Sequence, residues 1–287
     1  MVEKNNKVES SIDELTREEL IEMVGDLKTK IRMQENFLVN VAHDLRNPIN
    51  VILSILQAVK YVNKKEDPEV KIVEYRSLIR RNSLKMMKLI DNLIDTTRIE
   101  GNYYRLNKSM IDIVNLVENT IFSIDKYAEQ RNLELIFDTN VEECTVLVDP
   151  QAIDRIVVNL LSNAIKFSQN GSKIMVNIFI DKEIIKISVK DNGPGIEEKQ
   201  QKLIFNRFIQ ASQKKNCEKS GSGIGLDLVS CLTKLHGGNI VLKSEVNKGS
   251  EFIVSIPRIE GEVTKENSID SSSKVQQLEV EFSDIYF

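Results

Sequence analysis

Residues 154–168 read DRIVVNLLSNAIKFS, and this stretch says most about the architecture of the C-terminal half. Its apolar residues recur at helical spacing, which predicts a helix over Pro150–Phe167. Asn159, Asn163 and Lys166 stand at i, i+4 and i+7, so one face of that helix carries two amides and a cation. Such a face is poorly suited to an apolar core. It is well suited to a metal–phosphate group, which needs oxygen ligands and a compensating positive charge.

The motif DNGPGI, residues 191–196, directly follows a predicted strand. Its carboxylate, Asp191, can accept a hydrogen bond from an exocyclic amine of a ligand. Gly193 and Gly195 allow a ligand to approach bare backbone. This motif alone is weak evidence for a site, because an Asp-Asn-Gly sequence is also an ordinary turn.

Two further motifs follow in the chain. Phe205 and Phe208 stand one helical turn apart before the polar loop ASQKKNCEKS, although phenylalanines at that spacing are usually core residues. Residues 221–226, GSGIGL, form a glycine-rich turn that opens a helix, where backbone amides can hold phosphate oxygens. The turn lacks the GxxxxGK[ST] pattern of a P-loop, and it follows a polar loop rather than the strand of a Rossmann unit. A helix cap would also explain these glycines.

Short β-like runs and helical patterns alternate around these motifs. Strands are predicted at Leu133–Asp138, Thr145–Val148, Lys173–Ile180, Ile184–Lys190, Asn239–Ser244 and Glu251–Ile256, and helices at Val114–Gln130, Pro150–Phe167 and Leu226–Leu235. Strand pairs mixed with helices predict an α+β sandwich, with one mixed sheet and helices on one face. His236 precedes two glycines at a predicted helix end, so we assign it to helix capping and give it no chemical role.

The stretch VAHDLRNPIN, residues 41–50, carries the other of the two histidines. It ends a heptad seam whose apolar positions are Leu20, Val24, Leu27, Ile31, Leu38, Val41 and Leu45. In that register His43 takes an outward-facing position, Asn47 shares its face one turn later, and Asp44 lies beside it. The packing therefore displays the histidine. We expect Pro48 to bend the helix just beyond it, because proline removes a backbone donor.

A second helix is predicted to follow the first. The apolar pattern continues to about Val62, stops at NKKEDP, residues 63–68, and resumes from Ile72 to near Gly101. Two long amphipathic helices joined by a turn form an all-α antiparallel hairpin. One hairpin cannot bury both of its apolar faces, so the economical solution is a homodimer that makes a four-helix bundle.

Composition excludes several classes of protein. The net charge of −4 leaves no basic excess for binding nucleic acid. No apolar run approaches the ~18 residues needed to cross a bilayer, and the N-terminus has no apolar signal segment. Cys144, Cys217 and Cys231 are too scattered for a disulfide framework or a zinc site. We therefore expect a cytoplasmic protein with no membrane span and no nucleic-acid partner.

In their order along the chain, these motifs resemble the kinase core of a sensor histidine kinase from a bacterial two-component system. The motifs that match the family are the H box at 41–50, the N box at 159–167, the first G box at 191–195, the F box at Phe205 and Phe208, and the second G box at 221–225. The resemblance covers roughly residues 30–257. It implies a HisKA dimerisation and phosphoacceptor hairpin followed by a GHKL-type HATPase_c catalytic domain.

The resemblance also implies roles for the residues of the H box. His43 would be the phosphoacceptor and Asp44 its acid/base partner. Asn47 would position water when the protein dephosphorylates its partner. Many family members have Glu-Leu-Arg-Thr after the histidine where this chain has residues 44–47, DLRN; Asp keeps the carboxylate, and Asn keeps a polar group that can hold water.

In the ATP-binding domain Asn163 would ligate Mg²⁺, and Asp191 would bind the adenine amine of ATP. Asn159 and Lys166 would lie close to the phosphates. The other ATP-binding residues implied by the family are Phe167, Gly193, Gly195, Ile196, Phe205, Phe208, Gly221, Ser222, Gly223, Ile224, Gly225 and Leu226. Ser222 and Ile224 replace a commoner Thr and Leu.

The expected domains are an N-terminal coiled-coil or signalling helix (1–34), the phosphotransfer hairpin (35–101), the catalytic domain (102–257) and a flexible tail (258–287). The last residues, VQQLEVEFSDIYF, alternate apolar and polar, so a strand or a docking peptide stays open beside disorder. Input would arrive through residues 1–34, unless the chain is part of a longer one.

The expected function is ATP-dependent phosphorylation of His43 and transfer to an aspartate of a response regulator, with homodimerisation and Mg²⁺. Phosphatase activity toward the regulator stays open because Asn47 supports either direction. Two other classes compete: a GHKL-type ATPase or serine kinase, and a non-catalytic scaffold with a relic nucleotide pocket. The displayed His-Asp pair argues against the first, and intact Asn163, Asp191 and glycines argue against the second.

Overall fold

The computed structural model describes residues 16–59, 68–205, 223–259 and 271–284. The chain divides into two compact units, Met1–Asp44 and Leu45–Phe287, and the boundary falls within the first helix. Helix α1 spans Arg17–Val59 and helix α2 spans Pro68–Glu100. Most of the expected NKKEDP turn lies outside the described residues.

The described part of the first unit is the N-terminal part of α1 with the residue before it. Five of the apolar seam positions, Leu20, Val24, Leu27, Ile31 and Leu38, are between 37% and 61% exposed in the single chain. An apolar stripe of this kind stabilises a helix only when another helix covers it. Helix α1 continues through Pro48 to Val59, so the bend expected at the proline stays a prediction.

The second unit contains the mixed α and β part of the chain. Its elements are β1 (Ser109–Asp112), α3 (Ile113–Glu129), β2 (Glu134–Thr139), β3 (Thr145–Val148), α4 (Pro150–Phe167), β4 (Lys173–Ile180), β5 (Ile184–Asp191), α5 (Glu198–Gln201), α6 (Gly225–Leu235), β6 (Asn239–Glu245) and β7 (Gly249–Pro257). Five strands form one sheet in the order β2-β4-β5-β7-β6, in which only the β2–β4 pair is parallel. The expected α+β sandwich with a mixed sheet is confirmed.

One face of this sheet is buried under the helices. In β4, Ile174, Val176 and Ile178 are buried, while the alternating Met175 and Phe179 are exposed. Burying each isoleucine side chain contributes about 1.5–3 kcal/mol to the free energy of folding. Because every second residue of the strand is buried, this energy determines which face of the strand turns toward the helices. Helices α3, α4 and α6 contribute the opposite side of the same core.

A second, two-stranded sheet pairs β1 with β3 and was not expected from the sequence. Strand β1 has only four residues, SMID, which is too short for an alternating pattern to stand out. It places Asp112 at the start of α3, where its side chain accepts from the amides of Val114 and Cys144, both at 3.0 Å. Short polar side chains at this position satisfy amides that the helix itself leaves unpaired.

The C-terminal tail differs from the expectation of flexibility. Helix α7 spans Ser271–Glu281, and a 3₁₀ turn follows at Phe282–Asp284. Leu278, Val280 and Phe282 are buried. The apolar alternation over 278–282 concealed a helical i, i+4 relation between Leu278 and Phe282, and packing against the rest of the unit selects the helix.

Candidate functional site

Asn159 lies on α4 and faces the first residue of α6. A Cβ added to Gly225 would lie 2.7 Å from Asn159 Oδ1, so any larger residue there would displace the Asn159 side chain. The Asn159 side chain is buried, and its Nδ2 donates to the Arg155 carbonyl at 2.9 Å. The structure thus brings the N-box helix and the second glycine motif together.

Asp191 ends β5 and is held by two backbone donors. Its Oδ1 accepts from the Gly193 amide at 2.8 Å and from the Ser250 amide at 3.3 Å. Burial raises the pKa of the Asp191 carboxyl, and the two amide hydrogen bonds oppose that rise. Both bonds use the same oxygen, so the carboxyl is fixed in orientation.

The glycines after Asp191 are required by the protein itself. Gly195 has φ +69°, and a Cβ there would lie 2.0 Å from the Glu245 carbonyl oxygen. A Cβ on Gly193 would lie 2.8 Å from Asp191 Oδ1 and 3.1 Å from the Phe167 carbonyl oxygen. Sequence reasoning explained these glycines by ligand approach, whereas the structure shows close backbone packing that positions Asp191.

The remaining N-box residues differ in exposure. Asn163 and Phe167 are partly exposed, while Lys166 is buried. The Lys166 Nζ lies 5.7 Å from the centroid of the Phe167 ring. The expected face of two amides and a cation is therefore half-covered, and Asn163 is its most accessible member.

The other predicted pocket residues are largely packing residues. Phe205 meets Phe252 edge-on, with ring centroids 6.3 Å apart. Ile224 is buried, Ile196 donates its amide to Ser244 Oγ at 2.8 Å, and Leu226 packs on the core. Gly223 begins the described segment before α6, with φ +67°. Phe208, Gly221 and Ser222 lie outside the described residues.

His43 and Asp44 form a pair on the surface of α1. The His43 Nδ1 lies 3.3 Å from Asp44 Oδ1, and the two side chains are 67% and 29% exposed. Asn47 is also exposed. A carboxylate beside one ring nitrogen favours the tautomer in which the other nitrogen carries the lone pair.

His236 has a different environment, at the end of α6. Its Nε2 accepts from the Asp149 amide at 3.2 Å, and its Nδ1 is 2.9 Å from the Leu232 carbonyl. Burial lowers the pKa of His236, so the folded protein favours the neutral ring. It caps the end of α6, as the sequence predicts, and contacts the residue that caps the start of α4.

A polar cluster that the sequence did not predict joins α2 to α4. Arg155 donates to Asn92 Oδ1 at 3.2 Å and forms an ion pair with Asp95. Burial raises the pKa of Asp95, and the Arg155 charge opposes that rise. Arg155 stands one turn before Asn159, so the cluster connects the hairpin to the candidate nucleotide helix. In the sequence, the only signal for this polar cluster is that Arg155 lies next to the N box.

Within the described ranges, no three His, Cys, Asp or Glu side chains gather as a metal-binding cluster. In the same part of the chain, no helix is long and apolar enough to cross a membrane.

Two family models match the chain. Residues 33–102 match the His Kinase A (phospho-acceptor) domain, and residues 148–260 match the histidine kinase-, DNA gyrase B- and HSP90-like ATPase domain. The chain belongs to the sensor histidine kinase family. Its domain order, hairpin before ATPase domain, is that expected from the sequence.

Known histidine kinases are similar to most of this chain. Sensor protein EvgS of Escherichia coli (strain K12) is 31% identical over 229 residues, which are 78% of this chain and 19% of EvgS. Hybrid signal transduction histidine kinase D of Dictyostelium discoideum is 27% identical over 264 residues, 89% of this chain and 17% of that protein. The chain thus spans less than a fifth of either relative.

A solved structure shares the fold of this chain. Histidine kinase ThkA, in complex with response regulator protein TrrA, superposes with a TM-score of 0.61 at 20% identity. The match covers 85% of this chain and 68% of that one.

Proposed function

We propose that this chain is an ATP-dependent protein-histidine kinase that phosphorylates His43 and passes the phosphate to an aspartate of a response regulator. The observation that carries the proposal is the exposed His43, whose Nδ1 lies 3.3 Å from the Asp44 carboxylate, in a chain that also matches an ATPase domain. An exposed phosphoacceptor can be reached first by a nucleotide-bearing domain and then by a separate acceptor protein.

The chemistry assigned to His43 follows from its neighbour. Asp44 would accept a hydrogen bond from Nδ1–H, which places the lone pair on Nε2 and raises the nucleophilicity of that nitrogen. Nε2 then attacks the γ-phosphorus of ATP, the P–Nε2 bond forms, and the bond to the β-phosphate oxygen breaks as ADP leaves. Asn47, exposed on the same helix, is assigned to holding the water that hydrolyses the aspartyl phosphate of the regulator in the phosphatase reaction.

The ATP site is assigned to the ends of α4, β5 and α6. The fixed Asp191 carboxyl would accept from the adenine amine through Oδ2, since Oδ1 already receives two amides. Asn159 and Lys166 would stabilise the phosphates. The family pattern assigns Gly221, Ser222 and Gly223 to the pocket and its lid and Phe208 to ATP binding, and the residues described above as packing would shape the pocket.

The residues of this site suit a magnesium ion carried by the nucleotide. Mg²⁺ keeps several waters and binds phosphates plus one or two protein oxygens, so it needs no dedicated acidic cage. The partly exposed amide of Asn163 provides such an oxygen. When bound, the ion would neutralise phosphate charge.

The partners are proposed on separate grounds. The exposed apolar seam of α1 and the match to the His Kinase A domain support a homodimer. The neighbour ThkA was solved with a response regulator, which supports a receiver-domain partner. The family-model matches at 33–102 and 148–260 support a division between residues 35–101 and 102–257, which residues 1–34 and 258–287 flank.

The test is labelling with γ-labelled ATP and Mg²⁺, with His43→Gln as the paired variant. We expect acid-labile, base-stable label on the wild-type chain and none on His43→Gln. A nucleotide-binding assay with a fluorescent ATP analogue accompanies both proteins. Binding without label in the wild type would reject the kinase and favour the ATPase or phosphatase alternatives.

A further inference from the structure

The C-terminal segment of residues 271–284 contacts helix α2 through ion pairs. Glu279 Oε2 accepts from Arg80 Nη2 at 2.7 Å. Lys88 Nζ lies 3.0 Å from Glu281 Oε1 and donates to the Glu281 backbone carbonyl at 2.7 Å. The Lys88 and Glu281 side chains are only 13% and 12% exposed, so this pair is shielded from water and salt as surface pairs are not.

The same segment is fastened to the ATP-binding domain by different contacts. Phe282 is fully buried and stacks on Tyr127 of α3, with ring centroids 4.4 Å apart. Lys274 Nζ lies 2.8 Å from Asp154 Oδ1 and 3.3 Å from Thr120 Oγ1. Asp154 belongs to α4, the helix that carries the N box. Residues 271–284 therefore contact both helix α2 of the hairpin and the ATP-binding domain.

The segment reinforces a direct contact between the same two domains. Arg155 of α4 binds Asn92 and Asp95 of α2. The segment adds attachment points at Arg80 and Lys88, on the same helix. A domain held at several points along one helix has a single position relative to it, whereas one contact alone would act as a pivot.

A histidine kinase cycle requires more than one such position, because the nucleotide domain and the acceptor aspartate cannot occupy the phosphoacceptor together. We propose that residues 271–284 are a strap that holds the ATP-binding domain against α2 in a resting state, and that its release accelerates phosphorylation of His43. The regulatory part of this inference rests on the proposed function. The attachment itself does not.

Charge exchange at the buried pair tests the strap in the 287-residue chain. Glu281→Lys and Lys88→Glu each place like charges together, while the double variant restores an opposite pair. We expect each single variant to raise the initial rate of His43 labelling, at saturating ATP, on the order of tenfold, since breaking a shielded pair shifts a two-state equilibrium by at least that factor. The double variant restores the ion pair but not the Lys88 hydrogen bond to the Glu281 carbonyl, so its rate should return most of the way to the wild-type rate without reaching it.

Gln276→Lys is the matched control, because Gln276 is exposed on the same helix and the variant introduces the same lysine side chain outside the pair. It should label at the wild-type rate. A thermal melt shows that each variant is folded.

Amide hydrogen exchange over residues 278–282 gives a readout that needs no kinase activity. Faster exchange in Glu281→Lys, reversed in the double variant, supports the strap even if the wild type takes no label, in which case only the proposed function fails. Unchanged exchange in both single variants overturns the strap. Faster exchange with an unchanged or lower labelling rate overturns its inhibitory role.

Discussion

The surroundings of His43 and of Asp191 are opposite in almost every physical respect. His43 is 67% exposed on a helix, with one carboxylate neighbour. Asp191 is buried at the end of a strand, fixed by two backbone amides and closed in by glycines whose Cβ positions other atoms occupy.

The difference matches the two kinds of partner assigned to these residues. A group that must meet two proteins in turn has to stand in solvent, where little besides its helix constrains it. A group that must recognise one flat base in one orientation has to be held rigidly and kept from water, because burial strengthens a correct hydrogen bond and penalises a wrong one.

Loss of the buried carboxylate should have the largest effect. Asp191→Ala removes the proposed adenine acceptor and leaves the Gly193 and Ser250 amides without their partner, so we expect roughly a thousandfold weaker ATP binding. Asp181→Ala is the control, since Asp181 also accepts two backbone amides, from Glu183 and Ile184, but in an exposed turn. Titration with a fluorescent ATP analogue measures both. An equal loss of ATP affinity in the two variants would mean that Asp191 does not bind ATP.

Loss of the exposed carboxylate should affect rate rather than binding. Asp44→Asn no longer stabilises the productive tautomer of His43, so we expect about a hundredfold slower labelling with unchanged ATP affinity. Glu35→Gln removes an exposed carboxylate elsewhere on α1 and should change neither quantity. A parallel fall in ATP affinity in Asp44→Asn would contradict the assignment of Asp44 to His43 alone.

The tight packing around Asp191 can be broken without touching the carboxyl. Gly195→Ala places a Cβ 2.0 Å from the Glu245 carbonyl oxygen, whereas Gly171→Ala has the same sign of φ and meets nothing within 4 Å. In both variants an alanine has to adopt a positive φ, so the difference between their unfolding free energies measures the clash of the added Cβ alone. We expect Gly195→Ala to lose about 2 kcal/mol more unfolding free energy, measured by urea denaturation. Equal losses would mean that the loop moves freely.

The two histidines should differ in their effect on stability at mildly acidic pH. Burial lowers the pKa of His236 in the folded state, so below the unfolded value of about 6.5 the unfolded chain binds more protons and stability falls as pH falls. Between pH 7.5 and 5.5 this contribution is at most about 1.4 kcal/mol, the limit for a ring that stays neutral throughout in the folded state. It should vanish in His236→Gln and persist in His43→Gln, with unfolding measured at each pH. Persistence in His236→Gln would assign the effect to another group.

Sequence reasoning located most elements because each depends on residues close along the chain. The predicted bounds of β3, β4 and α4 agree with the structure, since a period of two or of 3.6 is visible within eight to eighteen residues. It failed where an element is too short to show a period, as in β1. It also failed for residues 271–284, where an alternating pattern concealed a helix that packing stabilises.

Sequence by itself determined the motifs, their order, the α+β architecture and the displayed His43, all of which follow from local spacing and residue chemistry. Tertiary structure alone decided which distant groups meet. The register of β5 against β7 places Ser250 beside Asp191, and the packing of α4 brings Asn159 to Gly225 and Arg155 to Asp95. Such contacts leave no periodic trace in one chain, because each depends on where two separate elements come to rest.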